Sequence, residues 1–205
     1  MNMYEKFLVV ITLEKFFKDE HLWINSLFEA GLQYLHLRKP GAKRFETEDL
    51  LRKINAQYYN RIVLHDNFEM AVEYNLGGIH LNKRNPFAPK SFTGRISRSC
   101  HSIEEVARYK DECFYVTLSP IFNSISKVGY NSAFSAGQLA VAASRGIIDN
   151  RVVALGGVTA ENIRTLKKIG FGGAAVLGTI WNAKDCIEAV NIFKELADRF
   201  INSTI

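Results

Sequence analysis

The side chains of this 205-residue sequence that could do chemistry stand in small groups at or just beyond the ends of short apolar runs. His36 and Arg38 close one run, His65 and Asp66 the next, and His80 and Asn82 a third, while Ser99, Cys100 and His101 end a fourth and Ser119 a fifth. An Arg in such a place can grip a phosphate through two parallel N–H bonds. An imidazole titrates near neutral pH, and with His36 and His65 at adjacent run ends at least one of them is expected to touch ligand. Asp66 is the only carboxylate in these groups. One carboxylate limits magnesium chemistry to an ion whose coordination is completed by substrate phosphates.

Two glycine-bearing stretches suit an anion in another way: Ala154-Leu155-Gly156-Gly157-Val158-Thr159 and Val176-Leu177-Gly178-Thr179. Glycine lets backbone N–H groups approach a phosphate closely. Ser124, Ser126 and Lys127 add two hydroxyls and a positive charge. They lie in a Ser- and Asn-rich loop, 123–135, of the kind that covers active sites.

These groups need elements to hold them. β-Branched and aromatic runs recur at Lys6–Thr12, Gln33–Leu37, Arg61–His65, Gly77–Leu81, Arg95–Ser99, Cys113–Leu118, Arg151–Leu155 and Gly173–Leu177, which predicts eight strands. Between most of them apolar residues take helical spacing, as at His21, Ile24, Leu27 and Phe28, at Leu50, Leu51, Ile54 and Tyr58, or at Ile163, Leu166 and Ile169. A last helix over 184–200 places Ile187, Val190, Phe193, Leu196 and Ala197 on one face, and the link after Leu81, holding Pro86 and Pro89, has room for a helical turn only. Alternating strands and helices, with strands apolar on both faces, mean parallel strands joined by crossovers.

The fold expected is α/β, a (β/α)8 TIM barrel that takes residues 1–205 as a single compact domain. An open doubly wound sheet is the alternative, less favoured because no Gly-x-Gly-x-x-Gly follows the first strand. A barrel carries its chemistry at the carboxyl ends of the strands and binds phosphate on the loops after strands 7 and 8, where Gly156, Gly157 and Gly178 fall. Period-two alternation puts Tyr34, His36 and Arg38 on one face of the second strand.

Composition narrows the partners. With 47% hydrophobic and 23% charged residues the chain is globular, and its charge of +5, from 26 Lys plus Arg against 21 Asp plus Glu, is mild. Such a balance suits small phosphorylated molecules and is too small and scattered for nucleic acid. Cys100, Cys113 and Cys186 follow no metal-ligand spacing and cannot all pair within the chain, so a reducing compartment is expected. The apolar run from Phe7 to Ile11 is too short for an export signal, and no stretch nears the roughly 20 apolar residues of a membrane span. The expected setting is cytoplasmic, without a membrane partner; self-association into a homo-oligomer is left open.

Six stretches run in order along the chain: Leu35-His36-Leu37-Arg38-Lys39, Val63-Leu64-His65-Asp66-Asn67, Gly78-Ile79-His80-Leu81, Ser99-Cys100-His101-Ser102 with Glu104 and Glu105, Ser119 to Lys127, and Ala154 to Asn162. Together they resemble the thiamine phosphate synthase family, with its thiazole tautomerase paralogues, over nearly the whole chain. The resemblance implies a (β/α)8 barrel that joins a hydroxymethylpyrimidine diphosphate to a thiazole phosphate, with Mg2+ on the diphosphate, and releases pyrophosphate. It assigns the thiazole phosphate to Ser124, Ser126 and Lys127, to the glycine loop at Gly156 and Gly157, and to Leu177 and Gly178. Ser99 matches a serine on the pyrimidine side.

The diphosphate side departs from the family pattern. The synthase motif Gln-x-Arg-x-Lys reads His36-Leu37-Arg38-Lys39-Pro40, Asn-Asp reads His65-Asp66, and the second metal Asp falls at Asn85. Losing a carboxylate, a lysine and an amide together weakens Mg2+ diphosphate binding, so the Mg2+ that the resemblance implies is expected on Asp66 and, through a neutral carbonyl, Asn85, with Arg38, His36, His65 and Ser99 as the catalytic group. Lys39 would point to the opposite face if its strand continues. The tautomerases also lack parts of the diphosphate site, and Arg98-Ser99-Cys100-His101-Ser102 is similar to theirs, yet Pro120 stands where they usually carry a catalytic histidine. In a metal-free isomerase of that type His36 or His65 would have to be the acid-base group. That isomerase, and a non-catalytic sensor that keeps the phosphate pocket, stand as alternatives to the synthase.

Overall fold

In a computed structural model, described over residues 6–123 and 132–203, eight strands close a parallel barrel in the order in which they occur in the sequence. They are β1 (Phe7–Ile11), β2 (Tyr34–Leu37), β3 (Ile62–Leu64), β4 (Gly78–Leu81), β5 (Arg95–Cys100), β6 (Tyr115–Leu118), β7 (Val152–Leu155) and β8 (Gly173–Val176). Each falls on one of the expected runs. The barrel, and not the open sheet, follows from the pairing of β8 with β1, Phe7 beside Gly173 and Val10 beside Val176.

The outer ring holds α1 (Glu20–Glu29), α2 (Arg44–Lys53), α3 (Glu69–Glu73), α4 (Ile103–Tyr109), α5 (Ala136–Ser144), α6 (Ile163–Ile169), α7 (Gly178–Trp181) and α8 (Cys186–Ala197). Residues 82–94 form turns only, as the two prolines imply. Caps set several helix starts. The Ser102 hydroxyl accepts from the Glu105 N–H, Ser135 and Gln138 form a capping box, and the Asp185 carboxylate accepts from the Glu188 N–H.

Strand alternation divides the core in two. Leu8, Val10, Leu35, Leu37, Ile62 and Leu64 face outward under the helices, while Phe7, Val9, Ile11, Tyr34, Val63 and Tyr115 fill the barrel. Each fully buried aliphatic side chain stabilises the fold by roughly 1.5–3 kcal/mol. One expected contact is absent, because Ile187 is 74% exposed. With the helix starting at Cys186 behind its Asp185 cap, α8 buries Ala189, Phe193 and Leu196. Their spacing of four and three defines the inner face, and Ile187, two residues before Ala189, is turned about 200° away from it.

Candidate active site

The inside of the barrel is graded from aromatic to polar along the strands. At the amino ends Phe7 packs against Tyr34 and Tyr115, each with ring centroids 5.5 Å away. Toward the carboxyl ends the inward positions of β2 to β6 become His36, His65, His80, Ser97, Ser99 and Thr117. Parallel register sets these side chains next to one another: His36 lies beside Val63, His80 beside Ser97, and Ser99 beside Thr117. The inward positions of β1, β7 and β8 stay apolar, with Ile11 and Leu155 at the strand ends and Leu177 just beyond β8.

His36 Nδ1 lies 2.8 Å from His65 Nε2, and His36 Nε2 hydrogen-bonds the Tyr115 hydroxyl. A neutral imidazole has one donor and one acceptor, so protons run either from Tyr115 through His36 to His65 or the opposite way. His80 Nδ1 is 2.8 Å from Ser97 Oγ and its Nε2 is 2.8 Å from Ser99 Oγ. Ser97 Oγ also lies 3.2 Å from the Ile79 carbonyl, which can only accept. If the Ser97 proton goes there, His80 donates from Nδ1 and accepts the Ser99 hydroxyl at Nε2. Burial, with His80 nearby, holds His36 well below the usual histidine range, and burial with the neighbouring His80 and His36 does the same to His65. His80 is lowered to about 3, by burial first and then by Arg98 and Arg38.

Above this floor a cavity of about 670 Å3 opens at the carboxyl ends of the strands. Lys15, Arg38, Lys83 and Arg84 line its mouth. The Thr12 hydroxyl donates to the Arg38 carbonyl at 3.1 Å and accepts from the Arg38 N–H at 2.9 Å, which joins the end of β1 to the end of β2. The Arg38 guanidinium donates to Glu14 Oε1 at 2.8 Å. Glu14 is thus a second carboxylate at the mouth, and the expectation that Asp66 stands alone there is corrected. Applying the carboxyl-end rule to the first strand would have found it, three residues past Ile11.

Asp66 lies beside the rim residue Arg84, and its Oδ1 accepts from Asn85 Nδ2 at 2.9 Å and from the Arg84 guanidinium at 3.4 Å. Asn85 Nδ2 also donates to the His65 carbonyl at 2.9 Å, so this edge of the amide is its N–H edge. Lys39 turns away from the site. Its ammonium is buried against both oxygens of Glu20, at 2.7 and 2.8 Å, so it cannot replace a lysine at Pro40.

On the far side, Gly156 (φ 105°) and Gly157 (φ 62°) turn the chain after β7. A Cβ on Gly157 would stand 2.2 Å from the Asn123 carbonyl oxygen, so only glycine lets this loop lie against the one that follows β6. Asn162 Nδ2 donates to the Gly157 carbonyl at 2.8 Å, and the Thr179 hydroxyl donates to the Val158 carbonyl at 2.5 Å. The loops carrying Gly157 and Gly178 are thereby tied together. Ser124, Ser126 and Lys127 lie outside the described residues; Asn123, just before them, accepts at its side-chain oxygen from the Ser132 N–H at 2.7 Å.

No helix among the described residues is long and apolar enough to cross a membrane. A family profile described as thiamine monophosphate synthase matches residues 8–180. A thiamine-phosphate synthase of Limosilactobacillus reuteri is 25% identical over 186 residues, covering 84% of this chain and 86% of its own. One from Actinobacillus pleuropneumoniae is 29% identical over 162 residues, covering 74% and 72%. Among solved structures, a thiamine phosphate pyrophosphorylase from Bacteroides thetaiotaomicron superposes with a TM-score of 0.87 at 41% identity, covering 94% of this chain and 96% of that one.

Proposed function

The chain belongs to the thiamine monophosphate synthase family, and on that premise we propose that its barrel mouth joins a thiazole phosphate to a hydroxymethylpyrimidine diphosphate, giving thiamine phosphate and pyrophosphate. It is a transferase of thiamine biosynthesis. The observation that carries the assignment of roles is one cavity with two unlike sides. Arg38 and Arg84 stand on one rim, with Asp66 behind Arg84, and an apolar wall of Ile11, Leu155 and Leu177 leads toward the two tied glycine loops on the other.

The thiazole phosphate lies on the glycine side, against the backbone at Gly156, Gly157 and Gly178, with Ser124, Ser126 and Lys127 supplying hydroxyls and charge. The pyrimidine ring enters between the apolar wall and Ser99. Arg38 exchanges its Glu14 partner for the diphosphate. The bond between the pyrimidine methylene carbon and the diphosphate oxygen breaks, its electron pair leaves with pyrophosphate, and the thiazole nitrogen closes a new bond to that carbon. Arg38 and the cationic rim stabilise the charge that builds on the leaving group.

Asp66 fits Mg2+ as one carboxylate completed by the substrate's phosphates, a set that this ion accepts. Mg2+ held there would supply positive charge to the diphosphate. Asn85 orients Asp66 through its N–H edge, and its carbonyl is the remaining neutral ligand atom. His36 and His65, neutral and enclosed, serve as a hydrogen-bonded floor better than as acid-base groups of an isomerase.

The purified protein is incubated with both substrates, with and without Mg2+, and pyrophosphate release is followed. Release that requires Mg2+ is expected, and Arg38→Lys, which loses the planar fork, should lower kcat/KM about 10- to 100-fold. No release under any metal condition would refute the synthase reading.

A further inference from the structure

We propose that His36, His65 and His80 form a binding site for a transition-metal ion of the Zn2+ or Co2+ type on the cavity floor, separate from the Mg2+ position at Asp66. Three neighbouring strands aim these imidazoles at one point. Their ring centroids are 4.4 to 4.9 Å apart, and one ligand nitrogen from each lies within 4.8 Å of the others. A tetrahedral ion with bonds of about 2.0–2.1 Å needs nitrogens about 3.4 Å apart. His36 Nδ1 and His65 Nε2, at 2.8 Å, would open slightly to admit the ion, and a His80 nitrogen would close in from within 4.8 Å, with Nε2 giving up its bond to Ser99.

Partners that would orient two of the three ligating histidines, His36 and His80, are in place. With Nδ1 on the ion, His36 donates from Nε2 to the Tyr115 oxygen. With Nε2 on the ion, His80 donates from Nδ1 to Ser97, whose own proton goes to the Ile79 carbonyl. The burial that keeps all three rings neutral also keeps their lone pairs available. Three neutral nitrogens without a carboxylate suit zinc, cobalt or nickel and not magnesium, which prefers oxygen.

All three histidines line the cavity, so a fourth ligand would reach the ion from there. Thr117 Oγ1 lines that cavity, is 1% exposed, and has no hydrogen-bond partner among the described residues. It stands in register with Ser99, whose hydroxyl an ion would displace from His80 Nε2. Both hydroxyls can then bond a water or ligand on the ion.

The full chain, stripped with a chelator, is titrated with Co2+ in excess Mg2+ and followed by visible absorption. One Co2+ per chain with the intense bands of a four-coordinate nitrogen-rich site is expected. His80→Gln should abolish these bands and Ser97→Ala should weaken binding about tenfold, whereas Asp66→Asn and His101→Gln leave them intact. Circular dichroism checks the fold of each variant, and X-ray absorption of the wild-type Co2+ form, expected to show three imidazole ligands, decides the matter even if His80→Gln does not fold. Absence of stoichiometric Co2+, a six-coordinate oxygen-ligand spectrum, or bands that survive in folded His80→Gln or vanish in Asp66→Asn would overturn the site.

Discussion

Acidifying the metal-free protein from pH 7.5 to pH 5 will destabilise its fold through His80 by about 2 kcal/mol. Burial, then Arg98 and Arg38, lower this imidazole to about 3 in the folded chain, whereas an unfolded histidine titrates near 6.5. Between those values the unfolded state binds a proton that the folded state refuses, so stability is complete above about pH 6.5 and falls as the pH drops toward 3. From 6.5 to 5 the gap is about 1.5 pH units, and at 1.36 kcal/mol per unit this gives about 2 kcal/mol. A chain of this length loses roughly 2–4 °C in Tm per kcal/mol, so the share due to His80 is roughly 4–8 °C.

The assay is urea unfolding at a series of pH values for the wild type and His80→Gln, both in chelator. Carboxylate titration is common to both and cancels in the difference. The variant starts less stable at pH 7.5, because it loses the bonds to Ser97 and Ser99, but its stability should fall less steeply. Parallel curves from pH 7.5 to 5 would refute the reasoning, since they would mean that His80 charges as easily folded as unfolded.

Lys39→Met leaves the Glu20 carboxylate buried without its cation and is expected to cost about 3–5 kcal/mol in urea unfolding, most of it recovered when Glu20→Leu is added; a single-variant cost under about 1 kcal/mol would show that the pair is well solvated. Gly157→Ala meets a positive φ of 62° and a carbonyl oxygen 2.2 Å from the new Cβ. The backbone strain lowers stability by roughly 1–2 kcal/mol, relief of the clash displaces the loop, and KM for the thiazole phosphate is expected to rise; an unchanged KM would remove this loop from the phosphate site.

Much of the architecture was legible because its causes are local. Eight apolar runs at regular intervals, separated by helical spacing, admit few arrangements, and each run became a strand. Alternation within β2 aimed Tyr34 and His36 inward, put Arg38 at the mouth and sent Lys39 the other way. Ile187 was misplaced because the helical period fixes relative angles along α8 but not which stripe meets the barrel, a choice made by packing at Ala189, Phe193 and Leu196. Glu14 could have been placed at the mouth from its position past Ile11, but its pairing with Arg38, 24 positions away, is announced by nothing in the residues around it.

The sequence by itself therefore determined the barrel, the end at which the candidate site residues gather, and the residue types available there, since strand period and chain order are properties of neighbours. Only the tertiary structure decided which of those residues meet. Closing the sheet brings His36, His65 and His80 from three segments into one hydrogen-bonded cluster, and burial there strips them of water and holds them neutral. The same closure turns Asn85 into a donor for Asp66 and commits Arg38 to Glu14. Charge state and partnership depend on distances across the barrel, and linear spacing does not contain them.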